Sequence, residues 1–338
     1  MTHEIKLLIE TLNRWQKEGK KAVFVSVVAL NGTSYRKPGV RMIIREDGEM
    51  EGAVSGGCVE NEIKRQAQSV FRSGKSKIMT YDGRLRIGCE GVITILIEPV
   101  FLTAELVTEF EKQLAGRNTF TLETWFYHEV GEYESAGSVI SLNDKKYSLH
   151  PSFNASSVSD MDCLKQTFEP LFQLFIFGAE HDAVHLSRLA KSLGWEVTVV
   201  ASPDEGKSCE SFPGAKALIT PAFDEINALA IDKNTAITLI THSFNKDVQY
   251  LMALKDKKPA YIGMLGSSIR LERVLSMVLD YKPDFPIEFL EQIHGPAGLN
   301  LGAETAAEIA VSIIAEIMCV TRKKKPEKLR DKKGAVHE

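Results

Sequence analysis

Apolar residues fall at helical spacing near the start of the chain, where Ile5, Leu8, Leu12 and Trp15 share one face of a helix over about 5–18. The β-branched run KAVFVSVVAL (21–30) then predicts a strand. VRMIIRED, with turn residues Asp47-Gly48, predicts a hairpin continuing into DGEMEGAV. SGGCVENEIKRQAQSVFRSG passes from a glycine-rich turn into a helix ending near Gly74, and GVITILIEP (91–99) is a further strand. After a helix over 103–114, FTLETWFYH and GSVISL alternate like strands, and Asn143-Asp144 turns the chain into YSLHPSF.

Beyond Pro170 the pattern changes. LFQLFIFG, EVTVVA, KALIT, TAITLIT and AYIGMLG read as buried strands. Helices are expected to about Leu193 (Gly194 capping it), over 247–255 and 268–279, and after Thr305, where Glu308 completes a capping box. Strand–helix alternation implies a parallel sheet with right-handed crossovers. The fold expected is α/β, a C-terminal Rossmann-like sheet preceded by a smaller α+β domain. The divisions are 1–100 for the α+β domain, 101–170 for a β-rich connecting extension, 171–321 for the Rossmann-like domain and 322–338 for a basic, mobile tail.

Composition narrows the function classes. The 338 residues include 41 Lys+Arg and 45 Asp+Glu, a net charge of −4, which argues against a nucleic-acid binder. Residues 1–99 carry sixteen basic and twelve acidic residues, whereas 100–321 carry seventeen and thirty. The surplus on the first segment favours an anionic ligand there. No apolar run approaches the ~20 residues of a membrane span, and MTHEIKLLIETLNRW reads as a helix, not a signal peptide. Five scattered cysteines argue against a disulfide framework and for a reducing cytoplasm.

Five segments could carry chemistry. Ser55-Gly56-Gly57-Cys58-Val59-Glu60 lies between a strand and a helix. Its glycines permit close backbone approach, its amides can hold an anion, and a cysteine at the helix start has a lowered thiol pKa suited to soft metals or sulfur. A small buried thiol at a tight turn is the plainer reading. Gly88-Cys89-Glu90-Gly91 offers a second glycine-flanked cysteine, without the spacing of a zinc site. The loop 32–41 brings Arg36 and Arg41, suited to phosphate, unless it is an ordinary solvated hairpin loop.

FIFGAEHDA matches a dinucleotide fingerprint at Gly178 and Ala183, but Glu180 stands where the glycine facing the pyrophosphate belongs. Val200-Ala201-Ser202-Pro203 also lacks the ribose-binding acid, so NAD(P) is not favoured. Thr241-His242-Ser243 and Gly266-Ser267-Ser268-Ile269-Arg270 lie at strand ends, where His181, His242 and Arg270 could meet an anion. Alternatively, His242 simply caps its strand.

Taken in order, GTSYRKPGVRM, EGAVSGGCVE, GCEGVITILIEP, FIFGAEH, THS, YIGMLGSSIR and GPAGLNLGAETAAEIAVSIIAEI resemble the XdhC/CoxI family over about residues 21–320. The chain looks most like two-domain members found beside purine-catabolism genes in bacilli. The resemblance implies a chaperone that binds molybdenum cofactor (molybdopterin) transiently and protects it while a cysteine desulfurase adds the sulfido ligand. The chaperone then hands the cofactor to an apo-xanthine dehydrogenase or related molybdenum hydroxylase.

It further implies a homodimer, more a maturation factor than a catalyst, to which composition adds a cytoplasmic location with no membrane or nucleic-acid partner. Cofactor handling maps onto Cys58, as the metal contact, and onto Cys89. The Gly56-Gly57 backbone with Arg36 or Arg41 would take the phosphate. Glu90 and Glu180 depart from the family's glycines, as do Ala201 and Pro203 from its Asp-x-Arg. The competing expectations are an NAD(P)- or flavin-nucleotide-dependent oxidoreductase, and a scaffold without cofactor.

Overall fold

The computed structural model describes residues 1–32, 37–55, 57–83, 91–150, 152–154 and 160–332. The chain divides into two compact units, Met1–Pro170 and Leu171–Glu338.

The first unit starts with helix α1 (Thr2–Lys17), strands β1 (Ala22–Asn31), β2 (Arg41–Arg45) and β3 (Met50–Gly52), and helix α2 (Cys58–Ser73). It continues through β4 (Ser76–Asp82), β5 (Val92–Val100), α3 (Ala104–Ala115), β6 (Phe120–Phe126), β7 (Gly131–Tyr133), β8 (Gly137–Leu142), β9 (Lys145–Ser148) and β10 (Asp162–Phe168). An antiparallel six-stranded sheet has the order β3-β2-β1-β5-β4-β7, and a four-stranded one the order β10-β6-β8-β9.

Strand alternation decides what each face of the larger sheet covers. Val23, Val25, Val27, Met42 and Ile44 cluster with Ile63, Ala67 and Val70 of α2. Phe24 and Ile43 face the other way, against Leu8, Leu12 and Trp15 of α1 and Phe110 of α3. Phe120, Leu122, Ile140 and Phe168 of the smaller sheet complete that second core, so residues 101–170 form a layer of this unit. The pattern did not suggest β4 or β7, which pair with each other at the sheet edge.

The second unit contains β11 (Gln173–Phe177), α4 (His181–Ser192), β12 (Glu196–Val200), β13 (Ala217–Ile219), β14 (Thr235–Leu239) and α5 (Phe244–Leu254). There follow β15 (Tyr261–Met264), α6 (Ser268–Tyr281), α7 (Ile287–Leu290), β16 (Ile293–His294) and α8 (Ala306–Thr321). The strands pair in parallel in the order β13-β12-β11-β14-β15-β16, the third-second-first-fourth-fifth-sixth order of a Rossmann sheet.

Both faces are covered, as a parallel sheet requires. On one side Ala183, Leu186 and Ala190 of α4 pack with Ile313 and Ile317 of α8. On the other side Leu251 of α5, Val274 of α6 and Phe289 of α7 pack on Phe177 and Leu239. The fold is the expected mixed α/β, with its parallel sheet in the C-terminal half. No helix among the described residues is long and apolar enough to cross a membrane.

Candidate functional site

In the first unit the chain leaves β3 through Ala53 and Val54 into the glycine turn. Gly57 takes φ +112° as the N-cap of α2, a left-handed conformation that glycine adopts without a Cβ penalty. Glu60, one turn into the helix and 6 % exposed, folds back beneath the turn. One carboxylate oxygen accepts from the amides of Val54 (3.1 Å) and Ser55 (2.6 Å). The other accepts from the Ser55 hydroxyl (2.5 Å) and the Gly57 amide (2.9 Å). Ser55 Oγ in turn accepts from the amides of Gly57 and Val59.

Burial pushes the Glu60 carboxyl upward, but these donors outweigh it and hold the pKa below the ordinary value. Both Glu60 oxygens and the Ser55 hydroxyl are thus committed to shaping the turn, and Cys58 follows at the first position of α2. Glu60, expected among the cofactor contacts, therefore sets the loop's shape. Arg36, Gly56 and Cys89 lie outside the described residues, as does the Cys58 side chain.

Arg41 corrects the expectation for the phosphate. As the first residue of β2 it has the parity of Ile43, so it points away from the α2 face. The residue is 6 % exposed, and its guanidinium donates to the Gly39 carbonyl (2.8 Å), to Gln166 of β10 and to Thr124 of β6 (3.4 Å). Thr124 Oγ1 lies 3.0 Å from Ser138 Oγ, which donates at 2.5 Å to Glu98. Ser138 N also donates to Glu98, at 2.8 Å.

This buried chain joins the two sheets. Burial pushes the Glu98 carboxyl up to about 7 and brings Arg41 down to about 10, each opposed by the other's charge. Nothing in the sequence marked Glu98 beyond an acid inside an otherwise apolar strand.

In the second unit the loops after β11 and β14 meet at the switch point of the sheet, where open α/β folds bind ligands. Gly178 leaves β11 at φ +122°, and a Cβ there would lie 2.6 Å from the Ile240 carbonyl oxygen. Glu180 is the N-cap of α4 but makes no side-chain cap bond. His181 opens the helix, its ring edge-on to His185 at 5.0 Å. His242, with φ +53°, places Nε2 3.3 Å from Asp182 Oδ2.

Arg270 of α6 donates to Asp247 of α5 at 2.6 Å and lies 4.4 Å from the Phe244 ring centre. The second Asp247 oxygen accepts from Thr241 Oγ1 at 2.6 Å. Lys246 reaches Glu205, in the turn after β12, at 2.8 Å. The fold thus gathers Gly178, His181, His242 and Arg270 at the carboxyl ends of the central strands, but His242 and Arg270 are each paired with a carboxylate.

Asp182, Asp247 and the Lys246–Glu205 pair were not expected. Asp182 had the signal of an acid in a helix's first turn, and Asp247 that of an acid inside an apolar stripe. Among the described residues no group of three or more His, Cys, Asp or Glu is arranged to hold a metal ion.

A glycine-turned cysteine unit followed by a Rossmann unit without a complete dinucleotide fingerprint defines the class. Two family models match the chain, the XdhC and CoxI family over residues 15–82 and the XdhC Rossmann domain over 174–317. The chain belongs to the XdhC and CoxI family.

It is 29 % identical over 331 residues to a probable xanthine dehydrogenase subunit of Bacillus subtilis (strain 168), covering 91 % of this chain and 95 % of that protein. It is 26 % identical over 312 residues to the molybdenum cofactor insertion chaperone PaoD of Escherichia coli (strain K12), covering 89 % and 84 %. A crystal structure described as a xanthine dehydrogenase from Bacillus halodurans superposes with a TM-score of 0.75 at 26 % identity, covering 94 % and 96 %.

Proposed function

We propose that this protein is a molybdenum cofactor insertion chaperone for a molybdenum hydroxylase of the xanthine dehydrogenase kind. It acts in the cytoplasm as a homodimer, receives cofactor transiently, keeps it while a cysteine desulfurase supplies the sulfido ligand, and passes it to the apoenzyme. The names of the relatives, a molybdenum cofactor insertion chaperone and a xanthine dehydrogenase subunit, support this reading.

The observation that carries the site assignment is the Glu60 carboxylate holding Ser55 and Gly57 just before α2 begins at Cys58. A cysteine at the first position of a helix favours its thiolate, a soft donor for molybdenum or sulfur. Ser55, Gly56 and Gly57 are assigned to the cofactor contact, Glu60 shapes the turn, Arg36 is assigned to the phosphate and Cys89 is the second thiol, while Arg41 serves the buried chain to Gln166 and Thr124. Gly178, His181, His242 and Arg270 line a second contact surface in the Rossmann unit. Arg270 is already paired with Asp247 and His242 lies against Asp182, so the fit there is to an uncharged part of the cargo and not to a dinucleotide's diphosphate.

The test is to express the protein with functional cofactor biosynthesis and measure molybdenum and molybdopterin on the purified wild type and on Cys58→Ala. The variant should retain about tenfold less, the equivalent of one contact of about 1.4 kcal/mol, and should activate apo-hydroxylase correspondingly less. Equal retention and equal activation would overturn the assignment.

A further inference from the structure

A cavity of about 430 Å³ opens at the far end of α2, away from the glycine turn. Its walls are apolar: Leu12 of α1, Val23 of β1, Val70 and Phe71 of α2, Val100 at the end of β5, and Leu102. The volume is within the ~300–1,000 Å³ typical of small-molecule sites. Phe101, beside the mouth, is 51 % exposed, a large apolar side chain that folding leaves uncovered. The polar groups inside are already used, since Gln16 exchanges two hydrogen bonds with the backbone of Leu102.

The charge at this cavity has one sign. Lys20 and Lys21 line it, and none of its lining residues is Asp or Glu. The acids nearby lie outside the lining. Asp47 interacts electrostatically with Lys20, and the Glu46 carboxylate accepts from the Lys21 backbone amide at 3.2 Å. The last turn of α2 brings the negative end of its dipole to Gly74, but that end amounts to about half a charge, and the Gly74 amide caps the Val70 carbonyl. Two full ammonium charges exceed it. An occupant therefore needs an apolar body for the walls and an anionic end for the lysines.

We infer that this cavity binds a small amphipathic monoanion, an aromatic or medium-chain carboxylate, at a site separate from the turn at Cys58. Both groups of such a ligand are satisfied at once: its hydrocarbon leaves water against Leu12, Val70 and Phe71, and its carboxylate stays in the wet mouth beside the ammonium groups. The inference does not depend on the cofactor reading, because no residue of the glycine turn lines the cavity.

The probe is naphthalene-2-carboxylate, titrated into the full-length protein with leucine and valine methyls labelled for NMR. Saturable shifts are expected at Leu12, Val23, Val70, Val100 and Leu102. The double variant Lys20→Glu/Lys21→Glu should raise Kd about tenfold, and Lys20→Arg/Lys21→Arg should restore it. The neutral 2-naphthamide should bind the wild type about tenfold more weakly than the acid. Both substituted positions are exposed, so unchanged methyl shifts elsewhere show that the variants fold. Shifts that do not saturate, that arise at other methyls only, or that are equal in wild type and charge-reversed protein would overturn the proposal.

Discussion

A single side chain shows how parity decides chemistry. Arg41 reads in the sequence as a loop cation beside two glycines, yet it opens β2, and Met42 and Ile44 give their face to α2. Arg41 must then point to the other side, where the Gly39 carbonyl, Gln166 and Thr124 accept from it and Ser138 links Thr124 on to Glu98. Spacing alone could not show this, because a strand's first residue fixes its face only once its neighbours choose a core. Glu98 was equally silent in the sequence, and its burial makes the network pH-dependent. Its folded carboxyl titrates at about 7 against an ordinary 4.5, so the folded protein holds a proton that the unfolded chain releases in that window. Stability from this group is full below pH 4.5 and lost as the pH rises toward 7. Glu98→Gln cannot ionise and should flatten that decline. Urea midpoints measured at pH 5 and 7.5 test it, and equal slopes in variant and wild type would refute the assignment.

At the scale of elements, the strong periodicities were legible and the short, polar edges were not. The helices α1, α4, α6 and α8 and the first five strands of the second unit follow from apolar runs, spacing and capping residues. β4 and β7 escaped because the three residues of β7 carry no pattern of their own and β4 is half polar, so their pairing is set by distant partners. The turn between β11 and α4 was found through Gly178, and its cause is now physical. Gly178→Ala combines φ +122° with a Cβ 2.6 Å from a backbone carbonyl that cannot step aside. The cost should be about 1–3 kcal/mol, lowering Tm by about 2–4 °C per kcal/mol. Gly206→Ala is the control, since its φ of +59° is a left-handed position alanine can reach and no atom lies within 4 Å of the new Cβ. Scanning calorimetry should rank Gly178→Ala clearly below Gly206→Ala, and the reverse order would show that the close approach is not what the glycine serves.

For the whole molecule, the change of sequence pattern near Pro170 coincides with the boundary between the two compact units. Each unit has its own apolar clusters, one built on α1, α2, α3 and two antiparallel sheets, the other on a parallel sheet covered on both faces. That independence makes the location of the cargo testable. Residues 1–99 carry a basic surplus and the glycine turn, whereas 100–321 carry thirty acidic against seventeen basic residues, and Arg270 at the Rossmann switch point is already engaged by Asp247. An anionic pterin should therefore follow the first unit. Produced separately, residues 1–170 and 171–338 should each unfold cooperatively, as units with their own cores do. Co-expressed with cofactor biosynthesis, the first should retain molybdopterin and the second little of it. Retention on 171–338 alone would move the cargo to the Rossmann edge and leave Cys58 a structural role. Loss of retention from 1–170 while the intact chain retains cofactor would likewise refute the assignment to the first unit.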